Sequence, residues 1–234
     1  MPKVSVIVPC YNMGVFLDET IDSALNSSFS DFEIIIVNDG STDEFTNRLL
    51  ADYKKPKTKV IHTSNQGLVK ARNTALEHAT GEYILPLDSD DLISPDYMKD
   101  AVDHFDNNPN TGIVYCIAER FGEKTGIWEF PEFSVENLVH QCVIFNTAFF
   151  RKKDSDLVGG YSLNMNYNYE DWDLWLKIVE LGRDVYKIPK ILHSYRIRYD
   201  SITYTRDWNG KMKTMNRNLY LNHLKLFSEY HIDP

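Results

Sequence analysis

Short apolar segments alternate with segments of helical periodicity through the first half of the chain, and this alternation limits the possible folds most strongly. The strand-like segments are residues 4–8, 33–37, 59–62, 82–87 and 113–117. Segments with apolar residues at helical spacing separate them, for example Leu17, Ile21 and Ala24. An uninterrupted apolar run is typical of a strand buried on both faces of a sheet. The sequence therefore predicts an α/β fold with a mainly parallel central sheet and helices on both faces.

Length, charge and cysteine content narrow the class of protein. The chain has 234 residues, 43% of them hydrophobic, and a net charge of −9. This length suits one domain, or one domain with a short appendage. The negative charge argues against a general nucleic-acid binder, because phosphate backbones select basic surfaces. The first strand follows Met1 almost directly and no apolar run approaches a membrane span, so we expect a soluble cytoplasmic protein without a signal peptide. Cys10, Cys116 and Cys142 lack metal-ligand spacing, and we expect them to be reduced.

Polar residues follow each of the first four predicted strands. They form the segments 9–12, 38–43, 65–67 and 88–91. In open parallel sheets, ligands bind outside the carboxyl ends of the strands. The four segments are therefore expected to lie at one edge of the sheet and to form a single site.

The segment 88–91 carries the sharpest chemical signal. Asp88, Asp90 and Asp91 place three carboxylates within four residues, directly after an apolar strand. A hard divalent cation such as Mg²⁺ or Mn²⁺ would relieve their mutual repulsion and could also neutralise a departing diphosphate. Alternatively, Asp91 or Ser94 caps the next helix, whose N-terminus favours acidic residues. Because capping leaves Asp88 and Asp90 unexplained, we favour the metal.

The two neighbouring segments each allow two interpretations. Asp39 precedes Gly40, which suits a tight turn, but its carboxylate can also contact a nucleobase or ribose. Lys70 and Arg72 lie in the first turns of the helix predicted after Gly67. There they face solvent or bind an anion at the helix N-terminus. Solvent is favoured for Lys70, and the alternatives are balanced for Arg72.

Taken together, residues 4–12, 38–43, 65–73 and 81–91 resemble, in order and spacing, the inverting family-2 glycosyltransferases of the GT-A fold. The resemblance implies an enzyme of polysaccharide or glycoconjugate biosynthesis. Such an enzyme transfers a sugar from a nucleotide-diphosphate sugar to a hydroxyl of a saccharide or lipid-linked acceptor. Uridine is the favoured base, and Mn²⁺ or Mg²⁺ is the expected cofactor. The implied metal ligands are Asp90 and Asp88, with Asp90 preferred. The residues assigned to the donor nucleotide are Pro9, Tyr11, Asn12, Asp39, Asn65, Gly67, Arg72, Asp88 and Ser89.

The second half of the chain is expected to bind the acceptor. Glu170 and Asp171 open a predicted helix, where acidic residues are favoured by the helix dipole alone. In the resembled family, a Glu-Asp pair here holds the catalytic base, and we predict Asp171 as the base with Glu170 orienting the site. Such a base deprotonates the incoming hydroxyl opposite the leaving diphosphate. Gly160 allows close approach of an acceptor to the backbone. Trp172 either stacks on a sugar ring or packs in the core, and the core is favoured for Trp175.

One segment departs from the family pattern. Arg198 stands where the family often has a His that contacts the metal or the diphosphate. A cation at this position can contact phosphate directly. His193, on the same predicted strand, is either a substitute for that His or a structural residue. Glu19 matches a recurrent acidic position of the family and is equally well explained as a surface residue.

The C-terminal segment 206–230 has an apolar stripe and several basic residues, and it predicts an amphipathic helix. The helix packs on the domain, or it acts as a lid, a dimer contact or a peripheral contact with the inner face of a membrane; packing is favoured. We therefore divide the chain into a GT-A domain, 1–205, and a helical extension, 206–234. Within the domain, residues 1–120 form the nucleotide-sugar-binding half and residues 121–205 the acceptor-binding half.

Two other classes of protein share parts of this pattern. A nucleotidyltransferase on a related α/β sheet is expected to carry a Gly-rich, basic loop after its first strand, and residues 9–12 are not such a loop. A catalytically silent nucleotide- or carbohydrate-binding module has no need for both Asp90 and Asp171. The glycosyltransferase remains the favoured hypothesis.

Overall fold

The computed structural model describes residues 1–201 and 210–232. The strands and helices predicted for the first half of the chain are present, together with one further strand of two residues. The elements are β1 (Val4–Cys10), α1 (Gly14–Leu25), β2 (Phe32–Asp39), α2 (Glu44–Ala51), β3 (Thr58–Thr63), α3 (Leu68–His78), β4 (Tyr83–Pro86), β5 (Leu92–Ile93), α4 (Tyr97–Asn107) and β6 (Thr111–Gly122).

The second half contributes shorter helices and one long strand. Its elements are β7 (Gly126–Trp128), α5 (Val135–His140), β8 (Phe149–Arg151), α6 (Lys152–Val158), a 3₁₀ helix (Leu163–Met165), α7 (Glu170–Glu180), β9 (Asp184–Ile197), α8 (Lys211–Asn222) and α9 (Leu224–Glu229).

The described strands form a single sheet in the order β3-β2-β1-β4-β8-β6-β9-β5, with β7 paired to β6. Strands β1 to β4 pair in parallel. Strand β8 lies between β4 and β6 and is antiparallel to both, so β6 runs in the same direction as β4. Strand β9 is parallel to β6 along most of its length. The prediction of a mainly parallel α/β sheet is therefore confirmed.

The central strands are buried on both faces, which explains their uninterrupted apolar sequences. All seven residues of β1 are buried, and Ile34, Ile35 and Ile36 of β2 are 0% exposed. Each such side chain contributes about 1.5–3 kcal/mol by leaving water. Leu17 and Ile21 of α1 are also fully buried against this core. The rigid sheet fixes where its strands end, and hence where the polar loops lie.

The C-terminal segment differs in detail from the single helix predicted over 206–230. Residues 206–209 lie outside the described part of the chain, and the remainder forms two helices that meet at His223. Met215, Leu219, Leu226 and Phe227 are buried, so the described part of this extension packs on the domain. In residues 1–201 and 210–232, no helix combines the length and apolar character required to cross a bilayer.

Candidate active site

Asp39, the last residue of β2, connects two of the predicted loops. Its carboxylate accepts hydrogen bonds from the backbone N–H of Gln66 at 2.9 Å and of Gly67 at 2.8 Å. The hydroxyl of Thr63 donates a third bond at 3.1 Å. Gly67 adopts a φ of 89° at the start of α3, where a residue with a side chain would be strained. Asp39 therefore fixes the loop that leads into α3.

Asn12 performs a similar task between β1 and β2. Its side-chain oxygen accepts hydrogen bonds from the backbone N–H of Thr42 at 2.7 Å and of Asp43 at 3.1 Å. Its own backbone has a positive φ of 56°, which Asn tolerates better than most residues. The preceding Tyr11 is 42% exposed. Asn12 thus ties the loops together, and Tyr11 presents its ring to solvent.

The remaining predicted donor-side residues lie in the same cluster of loops. The hydroxyl of Ser89 donates to the carbonyl of Pro9 at 2.9 Å, and both residues are buried. Asn65 is exposed and lies beside Gly40. A Cβ added to Gly40 would lie 2.4 Å from the Asn65 backbone nitrogen. The four polar segments that the sequence placed at one edge of the sheet are therefore in mutual contact.

Arg72 is the central cation of the site. It lies on α3 with a side chain only 2% exposed. Its guanidinium donates to Asp88 Oδ1 at 2.8 Å and to Glu170 Oε1. Burial alone lowers the pKa of Arg72, but the charges of Asp88 and Glu170 raise it above its usual value. Arg72 therefore stays charged and holds two carboxylates from opposite halves of the chain.

Asp90 is engaged by the two arginines at the end of β9. Arg198 Nε lies 3.0 Å from Asp90 Oδ2, and Arg196 Nε donates to the Asp90 backbone carbonyl at 2.7 Å. Phe16 of α1 packs against both guanidinium groups, 5.0 Å from Arg196 and 4.7 Å from Arg198. Arg196 also pairs with Glu19 at 2.6 Å. The family position occupied by Arg198 therefore lies beside the predicted metal ligand.

Asp91 and His193 have structural roles. The Asp91 carboxylate accepts a hydrogen bond from the Arg196 backbone N–H at 2.9 Å and lies 3.1 Å from His193 Nε2. Both side chains are almost completely buried. Helix α4 starts at Tyr97 after Asp96, and neither Asp91 nor Ser94 caps it. The capping alternative for the acidic segment is therefore wrong.

The two remaining carboxylates of that segment, Asp88 and Asp90, are the candidates for holding a divalent cation. Burial and the neighbouring charges of Asp91 and Asp88 raise the pKa of Asp90 to about 7, although Arg198 opposes the shift. This repulsion between half-buried oxygen ligands is what a divalent cation relieves. Within residues 1–201 and 210–232, no group of three or more His, Cys, Asp or Glu side chains could hold a metal. A cation on Asp88 and Asp90 thus needs further ligands from water or a diphosphate.

Glu170 and Asp171 form the first turn of α7, as predicted, but their environments differ. Glu170 is buried and paired with Arg72. Asp171 is half-buried and its Oδ1 accepts the backbone N–H of Trp172 at 2.8 Å. Loss of solvent and the charge of Glu170 raise the pKa of Asp171 to about 7, against the opposing effect of Arg72. A carboxylate with this pKa is suited to general base catalysis near neutral pH.

Gly160 borders an open groove of about 740 Å³. Its φ is 68°, and an added Cβ would lie 2.7 Å from Asn73 Oδ1. Asn73 holds the adjacent Tyr161 through both its backbone N–H, at 2.9 Å, and its carbonyl, at 2.8 Å. Polar and charged side chains dominate the groove, among them Gln66, Lys70, Asn73 and Lys177. This composition suits a hydroxyl-rich ligand.

The two tryptophans of α7 pack into the domain. Trp172 is 8% exposed and its indole N–H donates to the Leu138 carbonyl at 2.6 Å. Trp175 is fully buried and donates to the Ile144 carbonyl at 3.2 Å. The core role favoured for Trp175 is confirmed. Trp172 presents little ring surface for stacking on a sugar.

Sequence reasoning missed several residues that shape the site. Asn146 donates to Asp88 Oδ1 at 3.3 Å, alongside Arg72. Arg196 holds the Asp90 backbone carbonyl through its Nε and the Asp91 carboxylate through its backbone N–H. Asn146 lies in a loop before β8 with no motif around it, so nothing in the local sequence signals its role. The Tyr-Arg pattern at residues 195–196 was a usable signal for Arg196.

With the site described, comparison with known proteins defines the family. Residues 5–170 match the family model described as Glycosyl transferase family 2. This match spans well over half of the chain, and the chain belongs to that family.

Two curated relatives illustrate the similarity in sequence. The chain is 28% identical to chondroitin synthase of Escherichia coli over 98% of its own length and 32% of that protein. It is 31% identical to hyaluronan synthase of Pasteurella multocida over 78% of its own length and 19% of that protein. The chain therefore spans about a third or less of the length of these relatives.

Solved structures show the same fold. S. aureus TarS in complex with UDP-GlcNAc matches with a TM-score of 0.80 and 23% identity, over 95% of this chain and 67% of that chain. Mannosyltransferase PcManGT from Pyrobaculum calidifontis, in complex with GDP-Man and Mn²⁺, matches with a TM-score of 0.65 and 20% identity, over 100% of this chain and 65% of that chain. The predicted GT-A fold is thereby confirmed.

Proposed function

We propose that this chain is an inverting, metal-dependent glycosyltransferase domain that moves a sugar from a uridine-diphosphate sugar to a hydroxyl of a saccharide acceptor. The observation that carries the proposal is the position of Arg72. Its guanidinium contacts Asp88 among the donor-side loops and Glu170 beside the proposed base. One buried cation thus connects the donor side with the acceptor side of a single site.

The proposed reaction assigns the proton to Asp171. The acceptor hydroxyl transfers its proton to the Asp171 carboxylate while its oxygen forms a bond to the anomeric carbon. The bond between that carbon and the diphosphate oxygen breaks, and the nucleoside diphosphate leaves with the electron pair. Attack from the side opposite the leaving group inverts the anomeric configuration. Glu170 pairs with Arg72 and orients the first turn of α7.

The leaving diphosphate needs positive charge, and Arg72 is already engaged by two carboxylates. Asp90, with Asp88, would hold Mn²⁺ or Mg²⁺, which supplies charge neutralisation to the departing diphosphate. Arg198, 3.0 Å from Asp90, adds a guanidinium at the same edge of the sheet. Because a guanidinium matches phosphate geometry well, Arg198 is suited to a direct diphosphate contact.

The family members named above support the substrate classes. Two of them are synthases of the polysaccharides chondroitin and hyaluronan, and the TarS structure contains UDP-GlcNAc. On the acceptor side, the polar groove beside Gly160 provides amide and ammonium groups for a hydroxyl-rich chain. We infer a UDP-linked donor and a saccharide acceptor that enters from this groove.

The test is a transfer assay with a donor panel. The purified chain is incubated with UDP-GlcNAc, UDP-GalNAc, UDP-GlcA or UDP-Glc and a set of labelled oligosaccharides, with and without Mn²⁺. We expect UDP release and a heavier labelled product only with one donor type, acceptor and metal, and NMR of the product should show the inverted anomer. The proposal fails if no donor is used and UDP, GDP, dTDP and CDP all leave the melting temperature unchanged.

A further inference from the structure

We propose that His223 is a positioning residue: it bridges Asp173 and Glu180 and thereby fixes the acceptor side of the site from the C-terminal extension. The inference rests on the proposed function in one respect, namely that Gly160 and Asp171 face the acceptor. His223 directly follows the last residue of α8, and its side chain is completely buried. Its Nδ1 is 2.8 Å from Glu180 Oε2 and its Nε2 is 3.2 Å from Asp173 Oδ1.

The geometry favours the protonated imidazole. Each ring nitrogen faces a carboxylate oxygen, and only the imidazolium can donate to both at once. Burial lowers the pKa of His223, but its contacts with Asp173 and Glu180 raise it above the ordinary value. Lys177 is the other charged group close to Asp173, at 3.2 Å. His223 thus acts as a buried cation between two carboxylates of α7.

Asp173 extends this contact to the turn that contains Gly160. Its side chain is completely buried. It accepts hydrogen bonds from Ser162 Oγ at 2.6 Å and from Asn222 Nδ2 at 2.5 Å. Lys177, its ion-pair partner, donates to the Gly160 carbonyl at 3.0 Å. The carboxylate therefore joins α8 to both ends of the segment from Gly160 to Ser162.

The same network reaches the residues around the proposed base. Asp173 lies two residues after Asp171, and its backbone N–H donates to the Tyr169 carbonyl at 2.9 Å. Tyr169 has a positive φ of 66° immediately before Glu170. A non-glycine residue holds such a conformation only where its surroundings impose it. The backbone N–H of Asp173 is one of the groups that hold Tyr169 in place.

A second contact joins the extension to the 3₁₀ helix. Asn218 Nδ2 donates to the Asn164 carbonyl at 2.7 Å, and Asn222 exchanges side-chain hydrogen bonds with Asn164 at 2.9 and 3.2 Å. The extension therefore holds the Gly160–Met165 region from two directions. Loss of His223 should loosen this region without disturbing the loops around Asp39 and Asp90.

The decisive experiment compares His223→Gln with the matched surface variant Lys225→Gln, whose original side chain is 91% exposed. Hydrogen exchange is followed for peptides covering residues 159–166, with the thermal shift produced by UDP and Mn²⁺ as the donor-side readout. In His223→Gln we expect hydrogen exchange of residues 159–166 to be at least tenfold faster than in wild type. The rise in melting temperature produced by UDP and Mn²⁺ should be unchanged. In wild type this protection should also decline as pH rises through the pKa of His223, a dependence that His223→Gln should lack.

Activity supplies the second readout. With the acceptor found in the transfer assay, His223→Gln should raise the acceptor KM several-fold more than the donor KM, whereas Lys225→Gln should change neither. The inference would be overturned if His223→Gln showed the same exchange as wild type in residues 159–166 together with an unchanged acceptor KM. If His223→Gln does not fold, Asn222→Ala removes one hydrogen bond to Asp173 and must show the same pattern in milder form. The exchange readout needs no substrate, so it separates this inference from a failure of the proposed function.

Discussion

The guanidinium of Arg72 contacts the carboxylate of Glu170, which lies 98 residues further along the chain. Their side chains are 2% and 10% exposed. Arg72 also holds Asp88, so three charged groups from α3, the loop after β4 and α7 form one buried cluster. Removal of Arg72 leaves both carboxylates without this partner, and Glu170 then carries its charge in a region of low dielectric. Stability and site geometry are therefore coupled in this cluster.

Replacement of Arg72 tests this coupling. Arg72→Ala should destabilise the fold by about 3–5 kcal/mol, because buried Glu170 and half-buried Asp88 both lose their partner. Arg72→Lys should retain more stability but lose most activity, since an ammonium cannot bridge two carboxylates with the fixed fork of a guanidinium. Urea unfolding and the transfer assay measure the two effects. An Arg72→Lys variant with wild-type activity would contradict the positioning role of the fork.

Asp171 should control the pH dependence of transfer. The base must be deprotonated, and its pKa is raised to about 7. Hence kcat/KM should fall about tenfold per pH unit below pH 7. Asp171→Asn should lower kcat by roughly 10²–10⁴-fold while UDP binding persists. Asp52→Asn, at the exposed end of α2, is the control and should behave as wild type. A flat profile between pH 5 and 7 would remove Asp171 from the mechanism.

The same raised pKa has a consequence for stability. Between the unfolded pKa, about 3.9, and the folded pKa of about 7, the folded carboxyl retains a proton that the unfolded one releases. Wild type therefore loses stability as pH rises through this window. Asp171→Asn should remove that loss and melt about 2–4 °C higher than wild type at pH 8, a difference of order 1 kcal/mol. At pH 4 the two melting temperatures should be nearly equal. Calorimetry of both proteins at pH 4 and pH 8 measures the difference.

Asp90 should determine the metal requirement of nucleotide binding. Asp90→Asn removes a charged oxygen ligand, so the Mn²⁺ concentration needed for half-maximal stabilisation by UDP should rise about tenfold or more. Asp96→Asn changes an exposed carboxyl in the following loop and should leave the required Mn²⁺ concentration unchanged. Thermal shift titrations with Mn²⁺ at fixed UDP measure the difference. Equal metal dependence in wild type and Asp90→Asn would refute Asp90 as a ligand.

The adjacent glycines 159 and 160 provide a matched pair. Both have positive φ, so alanine at either position carries a strain of about 1–2 kcal/mol. At Gly159 the added Cβ meets nothing within 4 Å, whereas at Gly160 it lies 2.7 Å from Asn73 Oδ1. Gly160→Ala should therefore be less stable than Gly159→Ala and should also raise the acceptor KM. Chemical denaturation and steady-state kinetics of both variants check this difference.

The sequence predicted the elements of the first half and the edge at which their loops meet, because strand burial and helix periodicity are local signals. It did not predict that the guanidinium of Arg72 would contact the carboxylates of both Asp88 and Glu170. That contact depends on how the second half folds back across the sheet. The break of the C-terminal helix at His223 was also missed, and the contacts of its imidazole gave no local pattern because Glu180 and Asp173 lie 43 and 50 residues away along the chain. Asn146 likewise acquires its role only from tertiary packing.

The short strand β8 has a consequence for synthesis of the chain. Residues Phe149–Arg151 fill the space between β4 and β6, so these two strands cannot be joined until about 150 residues have left the ribosome. Until then, β4 and β6 each present an unpaired edge that can recruit other chains. A fragment ending after β6 should aggregate more than the whole chain, in which β8 joins β4 to β6 and β9 pairs with the other edge of β6. The middle of the sheet is thus closed by a strand that is synthesised after the strands on either side of it.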